Sequence, residues 1–120
     1  MATMVVFTGE YDIACQNELR RELDRLAFEP NVILDLTSTT FIDSTVLSEL
    51  LRLHRLRQAN ELSVLTFLLT PSSPIRRLFE ITAVADTFRI FETVDEAVEN
   101  NGETVKVRYA FTAMGTLAAT

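Results

Sequence analysis

The sequence predicts an α/β domain with a central, mostly parallel β-sheet and about four helices. Short β-forming runs alternate along the chain with stretches of helical periodicity, and the segments joining successive runs are long enough to hold helical crossovers. The length of 120 residues, 48% of them apolar, suits a single domain with one core. There is no internal repeat and no low-complexity linker.

Met4-Val5-Val6-Phe7-Thr8 is rich in β-formers and stops at Gly9, which marks a strand leading into a turn. Asp12 is placed to cap a helix. In that helix Leu19, Leu23 and Leu26 form an apolar stripe, while Arg20, Arg21, Glu22, Asp24 and Arg25 form a charged face, so it covers a sheet. Pro30-Asn31 breaks the pattern before Val32-Ile33-Leu34-Asp35-Leu36, a strand of the kind buried on both faces. The polar stretch Thr37-Ser38-Thr39-Thr40 comes next and gives way to Phe41-Ile42-Asp43-Ser44. Leu47, Leu50, Leu51 and His54 then recur at i, i+3, i+4 and i+7, a helix that lasts to about Ala59 and puts Ser44 near its N-cap.

Residues 63–69 read as another buried strand, closed by Thr70-Pro71. Ser73-Pro74 pairs an N-cap with proline at the first helical position, and Ile75, Leu78, Phe79 and Thr82 continue a short helix. Residues 87–91 form a brief strand. Thr93-Val94-Asp95-Glu96 has the form of a capping box, with Gly102 as the stop. From these patterns we expect one domain over residues 1–102 and a C-terminal extension over 103–120. Val105-Lys106-Val107-Arg108-Tyr109-Ala110-Phe111 alternates as a one-sided strand does and is expected to supply an edge strand, in its own subunit or in a neighbour. The small-residue end from Met114 onward is expected to be mobile.

A net charge of −6 argues against direct nucleic-acid binding, which needs clustered Lys and Arg to meet phosphates. No apolar stretch is long enough to insert in a membrane, and the N-terminus has no export-signal pattern, so a cytoplasmic location is expected. The single cysteine, Cys15, cannot form an internal disulfide, in keeping with a reducing compartment.

Ser44 is the first candidate for chemistry, because it sits where an apolar strand gives way to a helix. Helix N-termini carry unpaired N–H groups and the positive end of the dipole, so a phosphate is tolerated there; on spacing alone a plain structural cap is the favoured reading of a serine at this place. A Ser-His-Asp triad would need His54, the only histidine. That residue lies about ten residues along the same helix, roughly 15 Å away at 1.5 Å per residue, beyond direct bonding. No ligand spacing for a metal is present, and no glycine-rich loop for a nucleotide, so no cofactor is expected. Glu10 and Asp12 are explained by a turn and a cap, and Arg76 and Arg77 by solvation or by steering of an acidic partner.

Val32–Leu36 followed by Phe41-Ile42-Asp43-Ser44-Thr45-Val46-Leu47 resembles the signature of STAS domains, the fold shared by anti-sigma-factor antagonists and the cytoplasmic tails of sulphate transporters. Gly9-Glu10-Tyr11-Asp12 looks like that family's Gly-Glu-x-Asp turn, and residues 72–79 are similar to its third-helix segment. The likeness runs from about Val5 to Val98. It implies a protein that is not an enzyme and that binds an anti-sigma factor, which is also a serine protein kinase, and so frees the sigma factor. Phosphorylation by that kinase at Ser44, or at the second hydroxyl position Thr45, would break the contact, and a separate serine phosphatase would restore it. Asp12, Asp43, Ser44, Thr45, Val46, Leu47 and Ser48 are the implied partner-binding residues. The family commonly has glycine where this chain has Val46, which is expected to add bulk close to the docking surface. A homodimer is compatible with this reading. The other function the likeness implies is a cytoplasmic regulatory or scaffold subunit of a membrane transporter.

Overall fold

Alternate side chains of the first strand, β1 (Ala2–Tyr11), feed two different cores. Val5, Phe7 and Tyr11 join the larger apolar cluster, while Ala2 and Met4 join a smaller one on the opposite face of the sheet. A computed structural model describes residues 1–102 and 104–112. After β1 come a short 3-10 turn (Ile13–Cys15), α1 (Gln16–Leu26), β2 (Val32–Ile42), α2 (Ser44–Ala59), β3 (Thr66–Leu68), α3 (Pro74–Ile81), β4 (Arg89–Phe91), α4 (Val94–Asn101) and β5 (Val105–Phe111). The five strands form one sheet in the order β4-β3-β2-β1-β5, and every neighbouring pair is parallel. Leu19, Leu23 and Leu26 of α1, Leu50 and Leu53 of α2 and Ile75 and Phe79 of α3 fill the larger core; Val94 and Ala97 of α4 pack on the smaller one.

β5 lies beside β1 within the same chain, from Ala2↔Val105 to Phe7↔Phe111. Its far end is tied down as well: the Tyr11 hydroxyl donates to Phe111 O at 2.9 Å, Thr8 and Thr112 share a hydroxyl hydrogen bond of 2.9 Å, and Tyr109 donates its hydroxyl to Glu22. The end expected to be mobile lies outside the described residues.

The first two strands are longer than their apolar runs. Thr37–Thr40 belongs to β2, because Thr8 and Gly9 pair with it, Thr8↔Ser38 and Gly9↔Thr39, and β1 runs on past Gly9 to pair Glu10 with Phe41 and Tyr11 with Ile42. Here pairing overrides polarity. Thr39 is buried and donates its hydroxyl to Phe7 O at 2.9 Å, and buried Asp35 accepts from the Thr37 backbone N–H at 2.9 Å. Gly9, at φ +92°, adopts a conformation that strains other residues, and the register slips between it and Glu10. β3 and β4 are shorter than expected, since their mutual ladder spans only Thr66↔Arg89 to Leu68↔Phe91. In the α4 cap the Thr93 hydroxyl accepts from Glu96 N–H at 3.2 Å, but the Glu96 carboxylate reaches the N–H of Glu92 at 3.3 Å instead of that of Thr93.

Two polar side chains on the inner face of α2 hold the helices in place. Arg57 is 1% exposed and donates to the carbonyls of Leu26, Glu29, Pro30 and Ser63 at 2.6 to 3.2 Å, which gathers the end of α1 and two loops around one guanidinium. Glu49, 2% exposed, accepts from Arg20 Nη2 at 2.6 Å and from Gln16 at 2.9 Å, clamping α2 to α1. The hydrogen bonds from Arg20 hold the Glu49 carboxyl below its ordinary value against the opposing effect of burial. A carboxylate with a folded pKa below its unfolded one contributes stability that is complete above the unfolded value and is lost as pH falls through the folded one. Glu49→Gln is therefore expected to lower the melting temperature at neutral pH and to flatten the loss of stability on acidification. Thermal scans from neutral to acid pH measure both, and an unchanged acid slope would assign it to other carboxylates.

Candidate functional site

In a parallel sheet the C-terminal ends of neighbouring strands emerge side by side. Tyr11↔Ile42 is the last pair between β1 and β2, and the residue after each is an aspartate, so Asp12 leaves β1 beside the point where Asp43 leaves β2. Both act as helix caps. Asp12 Oδ1 accepts from Ala14 N–H at 2.9 Å at the start of the 3-10 turn. Asp43 is the N-cap of α2, a place the sequence pattern assigns to the neighbourhood of Ser44; its Oδ1 accepts from Val46 N–H at 3.0 Å. Its second oxygen, Oδ2, accepts from Ile13 N–H at 3.1 Å. One carboxylate thereby fixes both loops of the site relative to each other.

Ser44 is the first residue of α2 and is exposed. Amides at the first turn of a helix have no carbonyl one turn back to bond, so this end presents N–H donors and the positive end of the dipole to any group the Ser44 hydroxyl carries. Thr45 is half-buried. Ser48 is exposed and lies one turn further along the same face as Ser44. Val46 and Leu47 turn the other way, 3% and 8% exposed, into the larger core. The expectation that Val46 adds bulk at the docking surface is corrected by this burial: its branched side chain fills space beneath the surface. Asp12, Asp43, Ser44, Thr45 and Ser48 are thus brought together at one end of the sheet, with Val46 and Leu47 supporting them from inside.

Two apolar side chains at this end were missed in the sequence. Ile13, in the 3-10 turn, is 67% exposed, and Phe41, near the end of β2, is 48% exposed, so each lies close to the bond by which Asp43 ties the turn to the start of α2. Phe41, with Thr40, Ile42, Pro74, Ile75 and Leu78, lines an open groove of about 190 Å³ between the end of β2 and α3. Exposed apolar surface rimmed by polar residues is a common make-up of a protein-docking face. The available signal was Phe41 itself, an aromatic residue at the end of a run whose preceding four residues are all polar.

The remaining candidates have other roles. Cys15 is buried, its thiol donates to Asp12 O at 3.0 Å, and burial pushes its pKa up, which disfavours the nucleophilic thiolate. His54 packs edge-on against Phe88 with ring centroids 5.6 Å apart, and burial, with Arg55 nearby, lowers its pKa. Arg76 faces Glu92 at 3.7 Å, and Arg77 and Glu10 are exposed. Among the described residues no group of three or more His, Cys, Asp and Glu side chains could hold a metal ion, and no helix is long and apolar enough to cross a membrane.

The family model of the STAS domain matches residues 2–97. Among solved structures, the chain is similar to the anti-sigma factor antagonist SpoIIAA in its unphosphorylated form, with a TM-score of 0.61 at 19% identity over 82% of this chain and 86% of that one. SpoIIAA of Bacillus in its phosphorylated form gives 0.58 at 20% identity over 81% and 88%. An anti-sigma factor antagonist from Mycobacterium paratuberculosis gives 0.66 at 20% identity over 82% and 86%. A sulfate transporter family protein from Wolinella succinogenes gives 0.58 at 19% identity over 84% of each chain. At these identities the likeness is one of fold. No curated protein matches the sequence.

Proposed function

The chain belongs to the STAS domain family, and from that premise we propose that it is a cytoplasmic, bacterial anti-sigma-factor antagonist switched by phosphorylation of Ser44. Unmodified, the face around Ser44 binds an anti-sigma factor that is also a serine kinase, and the sigma factor is released. Transfer of a phosphoryl group to the Ser44 hydroxyl adds about −1.5 to −2 charges near neutral pH. They fall beside Asp43 and Asp12 in a chain already at −6, where they repel acidic groups of the partner and cost hydration energy against its apolar ones. A serine phosphatase resets the switch. Nucleotide and magnesium come with the kinase, so this chain acts as substrate and ligand and not as an enzyme. Residues 1–102 form the regulatory unit in this reading, and residues 103–120 are an extension.

The observation that carries the proposal is the placement of an exposed serine as the first residue of α2, directly after an N-cap aspartate that also bridges to Ile13. The helix end tolerates the phosphate, so modification changes the surface without undoing the fold. A second reading is favoured by the likeness to the sulfate transporter family protein: a cytoplasmic STAS subunit that regulates or scaffolds a transporter. Affinity capture separates the two, since the first recovers an ATP-binding kinase and the second a transporter subunit.

The direct experiment mixes the protein with candidate anti-sigma kinases and magnesium-ATP and maps phosphate by mass spectrometry. The expected result is one phosphate on Ser44, absent from Ser44→Ala. Phosphate only on Thr45 would move the switch by one residue, and no transfer from any kinase that binds the protein would remove phosphorylation from the mechanism.

A further inference from the structure

The two edges of the sheet are unequal. β4 offers three residues, whereas β5 offers seven, and as the outermost strand β5 leaves its outward N–H and C=O groups without a neighbouring strand among the described residues. Such an edge is a template for one more strand, provided it is held straight. β5 is held by Tyr11, Thr8 and Glu22, which bond Phe111, Thr112 and Tyr109.

The charge along this edge is opposite to that of the molecule. Exposed Lys106 and Arg108 lie on β5 itself, Arg108 on the face it shares with Met4; on the other face, exposed Arg21 and Arg25 of α1 border an open groove of about 330 Å³ that also touches Glu18, Glu22 and Phe111. Glu22 is already engaged by Tyr109 and stands 3.5 Å from Arg25. Arg21, Lys106 and Arg108 have no carboxylate within ion-pair distance among the described residues. By contrast, Arg20, Arg52 and Arg76 elsewhere on the chain face carboxylates. Between these charges Val107 is 42% exposed.

We infer that the outer edge of β5 docks an extended acidic segment of a partner protein, which adds to the sheet as a sixth strand. Main-chain hydrogen bonds to β5 provide the attachment, and carboxylates of the segment meet Lys106, Arg108, Arg21 and Arg25. A second copy of this chain is a poor occupant, because two β5 edges would bring Lys106 and Arg108 against their own kind. This edge works independently of Ser44.

The test uses the full chain, labelled with nitrogen-15, and a capped peptide Val-Glu-Glu-Val-Glu-Glu-Val, which as a strand presents carboxylates on both faces, with the same peptide carrying Lys for Glu as control. Binding is expected to shift the amide signals of residues 105–111, to weaken with added salt, and to be absent with the control. Lys106→Glu combined with Arg108→Glu is expected to weaken it about tenfold, as charge reversal at an interface does. Both side chains are exposed, and an otherwise unchanged amide spectrum verifies that the variant folds. Ser44→Asp is expected to leave peptide binding unchanged, which separates this result from the fate of the phosphorylation switch. No shifts along β5, equal shifts with the control, pairing of β5 with a second copy, or loss of binding in Ser44→Asp would each overturn the inference; in the first case the charges serve only to keep the edge solvated.

Discussion

Arg57→Met is expected to lower the free energy of unfolding by at least about 3 kcal/mol, because it leaves several carbonyls that had a charged donor without one, at about 1–3 kcal/mol for each buried acceptor. Methionine fits the space and keeps the apolar stem, so the loss isolates the hydrogen bonds. The guanidinium bonds Leu26 at the end of α1, Glu29 and Pro30 in the loop before β2 and Ser63 before β3, and burial pulls its pKa down without removing its charge. It also sits where the negative end of the α1 dipole falls. Arg57→Lys is expected to recover only a small part of the loss, since one ammonium cannot span carbonyls arranged around a planar fork. Denaturant titration measures both variants. A methionine variant within about 1 kcal/mol of the parent would show that water replaces the guanidinium at these carbonyls.

Ser44→Asp is expected to reduce affinity for the anti-sigma kinase by roughly tenfold or more, while Ser44→Ala binds as the parent does and accepts no phosphate. The fold provides an internal control. Aspartate at the first turn of a helix interacts favourably with the dipole, by about 0.3–1 kcal/mol at an exposed site, so this variant is expected to melt no lower than the parent even as it binds less well. Titration calorimetry and thermal denaturation on the same samples separate the effects. Equal affinity for both variants would place the contact elsewhere on the molecule.

Much of this architecture can be read from local pattern. The leucine stripe of α1, the Ser73-Pro74 start of α3 and the left-handed Gly102 that ends α4 depend on near neighbours, and each is found where the pattern puts it. The phase of α2 is harder. Leucines at 47, 50, 51, 53 and 56 permit more than one stripe, and the spacing of Leu47, Leu50, Leu51 and His54 predicts one of them. The buried stripe includes Val46, Leu50, Leu53 and Arg57, leaving Leu51 and His54 half-exposed. This shift of phase turns Val46 inward. Arg57 itself carries no local mark that tells it from Arg55, because the carbonyls that bury it come together only when three separate segments meet. Thr37–Thr40 is a strand for the same reason: its partners, Thr8 and Gly9, lie about thirty positions earlier in the chain.

The site drew on both kinds of information. Asp12 and Asp43 are caps by residue type and position, yet the bond from Ile13 N–H to Asp43 depends on β1 and β2 ending together. The resemblance in the motif pointed to Ser44; geometry added Ile13, Phe41 and the groove against α3.

The place of β5 also bears on how the chain reaches its native state. β1 gains β2 as a neighbour from about thirty residues on, but its other flank stays bare until a segment a hundred residues later arrives, as the bond between Tyr11 and Phe111 records. Closing so long a loop late in assembly slows folding, and a nascent chain halted before residue 105 would display the flank of β1 to chaperones or to other unfinished copies.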